Sequence, residues 1–346
     1  MAPSGVRRIA LWRLLPVSLL YAVALLSAAP QAMAQAAGSA RANEQAVSRL
    51  GQIPRAAQQE NYEGVFVYQR GTFVQSSRIA HYATRGGEYE SLESLDGKPR
   101  KLLRHDDDLY TFVPERHLCF VERRQNRDAF PALLSETAQQ VLAVYEPKML
   151  APDRVAGMDA QVIELDPKDG YRFAYKLWTE AKTGLLLRAQ TLDGSGQVLE
   201  QISFSQLEIG IPAQKGPIAA GIRNTAGWTL VRPPVEPVDM EAQGWLLDPE
   251  VPGFHKVREV RRPMAARQAG DPPIPVDQAV FSDGLSTISV FVEPAENNSR
   301  KEGAGNSGAT HVLVTRHGDY WITLLGEVPQ GTLQLFASAI KYKAVK

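Results

Sequence analysis

Long amphipathic runs dominate residues 61–206 of the chain. Apolar and polar positions alternate there with a period of two, and Gly-containing turns separate the runs, which is typical of antiparallel sheet. In one run the apolar side chains share one face and the basic side chains share the other: Tyr171, Phe173, Tyr175 and Leu177 against Arg172 and Lys176. The pattern predicts a broad sheet with one apolar face that other elements must cover.

The same region contains the strands and two helices of a first domain. The helices are predicted at residues 42–58 and 130–145, and the second would bury Leu134, Ala138, Val141, Leu142 and Tyr145. Strands are predicted at residues 62–69, 73–84, 88–95, 99–105, 109–114, 118–123 and 155–165, followed by the run at 171–177 and two more. We therefore expect a mainly β fold with some α: an open, half-closed antiparallel β-barrel with helices on its concave face.

A smaller α+β domain is predicted to follow. Residues 209–217 lack an apolar period and contain several helix and strand breakers, so we expect domain boundaries of 42–210, a linker at 211–220, and 221–346. Strands are predicted at 228–232, 257–261, 285–292, 311–316 and 320–325, and the polar, Gly/Asn-rich residues 296–309 as a mobile loop. Thr332 is expected to cap a terminal helix that buries Leu333, Phe336, Ala337 and Ile340.

The first 34 residues have the composition of a secretory leader. Arg7, Arg8 and Arg13 precede an apolar stretch at 14–26, and Ala32-Met33-Ala34 is a small-x-small cleavage signal. The apolar stretch is shorter than the roughly 20 residues of a membrane span, although an uncleaved anchor stays open. We expect cleavage after Ala34 and export, without a lipid anchor, since Gln35 rather than Cys follows the cut.

Composition excludes several function classes. The 38 basic and 38 acidic residues give a formal net charge of zero, which does not favour nucleic-acid binding. The single cysteine, Cys119, cannot form an internal disulfide, and its apolar neighbours predict a buried, inert thiol. The acidic run His105-Asp106-Asp107-Asp108 reads as a hairpin turn rather than a metal site, because neighbouring side chains diverge. The sequence contains no recognisable nucleophile–base pair or cofactor motif, so we expect that the protein is not an enzyme and binds no cofactor.

An apolar face of this size is either ordinary core or a pocket for acyl chains, and the pattern leaves both interpretations open. If the helices leave room, the pocket candidates are the large side chains of the first domain: Phe66, Tyr68, Phe73, Tyr82, Tyr110, Phe112, Phe120, Leu134, Leu142, Phe173, Tyr175 and Phe204.

A basic group in the second domain offers a candidate binding surface: Lys256, Arg258, Arg261, Arg262 and Arg267. Arg side chains bind carboxylates and phosphates bidentately, so this group could contact an acidic partner segment or the phosphates of lipid A. The alternative is a solvated strand edge, which is a common position for Lys and Arg.

Several short segments, in one order over nearly the whole chain after the leader, resemble the RseB/MucB family. They are residues 61–68 (NYEGVFVY), 154–157 (RVAG), 167–173 (PKDGYRF), 183–187 (TGLLL), 198–201 (VLEQ), 281–286 (FSDGLS) and 318–321 (GDYW). Members of that family are periplasmic regulators of the envelope-stress sigma factor. Their large domain is similar to the lipoprotein carriers LolA and LolB.

The resemblance implies a function as well as a fold. It implies binding to the periplasmic domain of a single-span membrane anti-sigma factor, protection of that domain from regulated proteolysis, and release by a lipid signal such as lipopolysaccharide or lipoprotein acyl chains. A periplasmic lipid or lipoprotein carrier is the alternative, because the first domain alone would suit that task. An envelope hydrolase would need a catalytic constellation that the sequence lacks, and a homodimer stays open.

Overall fold

A twelve-stranded sheet forms the larger part of the molecule. The computed structural model describes residues 28–123, 130–134, 137–264, 273–295 and 300–344. Its contacts divide the chain into residues 1–44 and 45–346, and both sheets lie in the second unit. The predicted leader falls mostly outside the described residues. Among the described helices, none combines the length and the apolar character that a membrane crossing requires.

The large sheet contains the first eleven strands of the chain and one later strand. They are β1 (Tyr62–Arg70), β2 (Phe73–Thr84), β3 (Gly87–Ser94), β4 (Lys101–His105), β5 (Asp108–Val113), β6 (Leu118–Arg123), β7 (Tyr145–Val155), β8 (Met158–Pro167), β9 (Ala174–Glu180), β10 (Leu186–Leu192), β11 (Val198–Ile209) and β12 (Thr229–Val231). Their order is β12-β6-β5-β4-β3-β2-β1-β11-β10-β9-β8-β7, so β12 and β7 remain open edges. All pairs are antiparallel except β12 with β6. The predicted open antiparallel architecture is confirmed.

Three helices cover this sheet. Helix α1 (Ala28–Gln59) and helix α2 (Ala138–Val144) pack on β7–β10, where Leu50, Ile53 and Val141 are fully buried. Helix α3 (Gly216–Arg223) packs over β3 and β4, and its Ile218 is buried there. The two packed areas explain how a one-sided sheet removes its apolar face from water.

The second helix is shorter than predicted. Residues 138–144 are helical, but Tyr145 already begins β7. Leu133 has a positive φ of 57°, which is incompatible with a helix starting at Phe130. A capping box at Thr137, closed by Gln140, fixes the true start. The prediction of one long helix was therefore wrong, although Ala138 and Val141 are buried as expected.

A seven-stranded sheet and one helix form the second part. The strands are β13 (Glu236–Pro237), β15 (His255–Met264), β16 (Ile274–Ser282), β17 (Thr287–Pro294), β18 (Gly303–Ser307), β19 (Thr310–His317) and β20 (Tyr320–Gly326). Their order is β13-β15-β16-β17-β20-β19-β18. Helix α4 (Gln330–Ala339) covers one face, and β14 (Trp245–Leu247) pairs with β21 (Ile340–Tyr342). The predicted α+β character is confirmed.

Details of this second part differ from prediction. Residues 303–307, predicted as part of a mobile loop, form strand β18, because a two-residue turn pairs them with β19. Thr332 does not cap the last helix, which begins at Gln330; its hydroxyl instead donates to the carbonyl of Tyr171 at 2.8 Å. Strand β12 joins the large sheet rather than the small one. The domain boundaries themselves stay a prediction, although the region assigned as a linker contains the start of α3.

Candidate functional site

A cavity of about 240 Å³ lies between the large sheet and the segment that leads into β17. Strands β1, β9, β10 and β11 supply one wall, and the small sheet supplies the other. The lining residues are Tyr68, Phe130, Leu133, Tyr175, Ala189, Thr191, Glu200, Gln201, Ile202, Leu285, Thr287 and Glu327. Because both sheets contribute, the cavity is a place where a ligand would contact the two parts of the molecule at once.

The wall of the cavity combines apolar side chains with two phenols and two carboxylates. The Tyr68 hydroxyl donates to Glu200 Oε2 at 2.9 Å. Burial raises the pKa of Tyr68 to about 12, and the Glu200 carboxylate adds to the shift. The pKa of Tyr175 is also raised well above its ordinary value, mainly by burial and then by the Glu327 carboxylate. Both phenols therefore stay neutral at physiological pH.

Tyr175 connects the cavity to a buried polar turn of the small sheet. Its hydroxyl lies 3.0 Å from Ser286 Oγ. The preceding Asp283 closes the turn, because its Oδ1 accepts from the backbone N–H groups of Leu285 at 3.0 Å and Ser286 at 2.7 Å. The Tyr145 hydroxyl donates to Asp283 Oδ2 at 3.3 Å. Residues of β7 and β9 are thus hydrogen-bonded directly to the turn before β17.

A buried ion pair completes this junction. Arg172 Nη1 lies 2.8 Å from Asp283 Oδ2, and both side chains are 0% exposed. Arg172 Nε also contacts Asp169 Oδ1 at 3.0 Å, and its Nη2 donates to the carbonyl of Pro252. The guanidinium lies over the ring of Phe254 at 5.1 Å. Desolvation of two charges is costly, so such a pair requires many bonds, and this one has them.

The electrostatics of the pair are set mainly by burial. Burial raises the pKa of Asp283, while its hydrogen bonds from Leu285 and Ser286 and the Arg172 charge act in the opposite direction. The backbone also fits closely around the pair: a Cβ on Gly253 would lie 2.5 Å from Val144 Cγ1 and 3.2 Å from Arg172 Nη1. With its φ of +82°, position 253 suits glycine and little else.

A second cavity of about 560 Å³ lies between α1 and α2. Leu50 and Pro54 of α1 face Leu134 and Ala138 across it, and Arg55 is among its polar lining residues. Its volume falls in the range of about 300–1,000 Å³ that is usual for small-molecule pockets. The helices therefore cover the sheet without filling all the space between them.

The predicted pocket residues do not form one pocket. Tyr68 and Tyr175 line the first cavity and Leu134 the second. Phe112 lines a third, of about 290 Å³, beside Trp228 and under α3. Phe66, Tyr82 and Phe204 lie in core clusters, and Phe173 is buried beside the ring of His311. Tyr110, Phe120 and Leu142 are half-buried, and Phe73 is 47% exposed.

The basic group is largely paired within the protein. Lys256 lies 2.7 Å from Glu259, and Arg261 makes a bidentate pair with Asp277 at 2.7 and 2.8 Å. Arg262 lies 3.8 Å from Glu122 of the large sheet. Arg258 is exposed on the same strand, and Arg267 lies outside the described residues. Intramolecular pairing reduces the charge that this surface offers to a phosphate.

The acidic run at residues 105–108 forms a turn, and Cys119 lies in the interior. Asp106, with a φ of 52°, forms the β4–β5 turn and accepts from Glu88 N–H at 3.0 Å, as the turn interpretation predicted. No group of three His, Cys, Asp or Glu side chains in the described part of the chain converges on a metal position. Cys119 is buried, as predicted, and burial raises the pKa of its thiol.

Sequence reasoning missed the Arg172–Asp283 pair. It placed Arg172 on the solvent face of a strand, but β9 begins only at Ala174, and the side chain of Arg172 turns inward before it. A signal was present, because both residues lie in segments that carried the family resemblance, 167–173 and 281–286.

Comparison with known protein families gives two matches. A model described as the MucB/RseB N-terminal domain matches residues 45–222. A model described as the MucB/RseB C-terminal domain matches residues 239–341. Together they cover most of the chain, in the same order as the two sheets.

Individual relatives agree with these matches. The chain is 27% identical over 304 residues to the Sigma factor AlgU regulatory protein MucB of Pseudomonas aeruginosa, covering 85% of this chain and 90% of that protein. It is 26% identical over 297 residues to the Sigma-E factor regulatory protein RseB of Haemophilus influenzae, with the same coverage. The solved MucA/MucB complex of Pseudomonas aeruginosa superposes with a TM-score of 0.67 and 26% identity, covering 87% of this chain and 100% of the solved one. A second structure, of MucB in complex with MucA(peri), gives the same values.

Proposed function

This chain belongs to the MucB/RseB family, and from that membership we propose that it is a negative regulator of an envelope-stress response of the sigma-E type. It binds the periplasmic domain of a single-span membrane anti-sigma factor and shields that domain from regulated proteolysis. A lipid signal, such as the lipid A part of lipopolysaccharide, releases the partner. The basic and apolar leader supports export to the periplasm.

One observation carries the proposal of a protein partner. The similar MucB chain has been solved in complex with MucA(peri), and it aligns with this chain over its whole length. The match extends through both sheets, which supports a comparable protein partner for this chain.

The cavities support the lipid part of the proposal. An acyl chain gains about 0.8 kcal/mol for each CH₂ group that leaves water, so the apolar part of the cleft of about 560 Å³ between α1 and α2 offers binding energy, while its polar side chains suit a headgroup. The aliphatic and small residues Val47, Leu50, Leu134 and Ala138 line this cleft.

The second step of the proposal is coupling between lipid and partner. A ligand shifts a conformational equilibrium only if it binds one state more tightly than the other. The cavity of about 240 Å³ is bounded by both sheets, and Tyr175 joins its wall to the turn that holds Asp283. An acyl chain that enters and enlarges this cavity would displace the turn. The displacement would strain the Arg172–Asp283 pair and reorient the small sheet. A partner that contacts both sheets would then be released.

Calorimetry tests the proposal. The mature chain is titrated with the periplasmic domain of the same organism's anti-sigma factor, with and without short-chain lipid A. We expect binding that lipid weakens. Lipid binding without any partner binding would instead favour a periplasmic carrier, and binding of neither would refute both functions.

A further inference from the structure

In the part of the chain that the structure describes, the twelve-stranded and seven-stranded sheets have four open edges, and three of them are protected against pairing with another chain. Edge β7 contains Pro147 and Pro152 and an irregular register between Leu150 and Asp153. Edge strand β12 has three residues, and edge strand β13 has two and ends at Pro237. Proline, irregularity and short length are the usual means by which proteins prevent edge-to-edge pairing.

The fourth edge, β18, has none of these features. All five of its residues are exposed, it contains no proline, and its register with β19 runs without interruption from Ser307↔Thr310 to Gly303↔Val314. Its side chains are small and uncharged, so nothing on the strand itself shields the backbone. Such an edge is a template for an additional strand.

The register identifies the free backbone groups. Ser307 and Thr310 close a two-residue turn in which Gly308 has a φ of +61°, the geometry of a type II′ hairpin. The closing pair and every second pair after it exchange hydrogen bonds between the two strands. The alternate residues, Ala304 and Asn306, therefore direct both N–H and C=O away from β19. Among the described residues, no group takes up these four positions.

The side chains on one face of β18 indicate which kind of added strand would bind there. Gly303 and Gly305 lie opposite Val314 and Val312, which are only half-buried. Edge glycines leave a gap on the sheet surface that an aromatic or branched side chain of a neighbouring strand can cover. An added strand with apolar residues at alternate positions would lie over the glycines and contact the two valines.

We propose that an extended segment of the protein partner adds to β18 as an eighth strand, held by Ala304 and Asn306 and by apolar side chains over Gly303 and Gly305. This inference rests on the proposed function. A second copy of this chain fits less well, because its own β18 carries only small side chains, which cannot cover the glycines. A segment paired in this way has its peptide groups occupied, so it cannot enter a protease cleft as an extended strand.

The test uses the mature chain and the periplasmic domain of the organism's anti-sigma factor. Proline at position 304 or 306 removes an outward N–H but no bond to β19, so Ala304→Pro and Asn306→Pro should leave the fold intact. Each should weaken partner binding about tenfold, the effect of one lost hydrogen bond together with local crowding. The matched control Ala304→Ser keeps the N–H and should bind as the unmodified chain does.

Amide hydrogen exchange of the unmodified chain provides a second readout that requires no variant. We expect the Ala304 and Asn306 amides to exchange at least about tenfold more slowly in the complex. Binding with unchanged exchange at both amides, or proline variants of full affinity, would overturn the strand addition and leave the proposed function standing. If the unmodified chain does not bind the partner domain, the proposed function fails, and this inference fails with it.

Discussion

Replacing Arg172 by methionine is the most informative perturbation of the junction between the sheets. Methionine retains much of the aliphatic volume but leaves Asp283 buried without its counter-charge, since both side chains of the pair are 0% exposed. The substitution also removes the bonds from Arg172 to Asp169 and to the carbonyl of Pro252.

The magnitude follows from what Asp283 retains. Removing one partner of a buried ion pair costs about 3–5 kcal/mol, because the remaining charge is uncompensated. Asp283 would still accept hydrogen bonds from two backbone N–H groups and from Tyr145. We therefore expect a loss near the lower limit, about 3 kcal/mol in the free energy of unfolding.

The loss should also depend on pH. Burial raises the pKa of Asp283, so the folded chain holds this proton to a higher pH than the unfolded chain does. The contribution of this group to stability therefore falls as pH rises through the window above its ordinary value of 3.8. Without Arg172 the pKa rises further, because the cation lowers it. The deficit of Arg172→Met should be largest at neutral pH and should shrink as the solution becomes more acidic.

Urea unfolding of the mature chain at several pH values measures both effects. The matched control is Arg154→Met, since Arg154 pairs with Asp159 at 3.7 Å with both side chains mostly exposed, and such pairs contribute little. Equal losses of unfolding free energy in the two variants would contradict the role assigned to the buried pair. So would a stability loss of Arg172→Met that is independent of pH.

Three further outcomes follow from single sites. Gly253→Ala should lower the free energy of unfolding by about 2 kcal/mol or more, because the added methyl group would overlap Val144. The control Gly210→Ala has a similar φ but open space around it and should cost only about 1 kcal/mol. Equal losses in the two variants would exclude the steric argument. Glu200→Gln should lower the pKa of Tyr68 from about 12, measured by ultraviolet titration, and an unchanged value would show that Glu200 does not contribute to the shift. Thr137→Ala should cost about 1 kcal/mol through loss of the capping box of α2, and unaltered stability in urea would show that this cap is not needed.

Strands that bury one face could be predicted well from sequence. The strand predicted at residues 73–84 has the same bounds as β2. Tyr175 and Leu177 are buried, as the pattern indicates. In such strands the burial of alternate side chains leaves a direct trace in the sequence.

Edge strands could not be predicted in this way. Strand β7 contains two prolines and β18 consists only of glycine and small uncharged residues, and both were missed. Neither has a regular apolar alternation, because an edge strand is held by hydrogen bonds to one neighbour rather than by burial. Backbone pairing of this kind is invisible in side-chain patterns.

The candidate site was also beyond local sequence reasoning. Arg172 and Asp283 are 111 residues apart, and the pattern around Arg172 placed it on a polar face. Its burial depends on the packing of one sheet against the other, which periodicity does not encode. The same limit applies to the cavities, since their volume is set by how the helices and the small sheet pack on the strands.

Protection of the partner from proteolysis tests the central claim most directly. The periplasmic domain of the organism's anti-sigma factor is incubated with the envelope protease that initiates its cleavage, and the cleavage rate is measured alone, with the mature chain, and with the chain plus lipid A. We expect the anti-sigma domain to be cleaved slowly in the presence of the chain, and we expect lipid A to restore the cleavage rate of the domain alone. A cleavage rate that the chain does not change, at concentrations that saturate its binding, would contradict it.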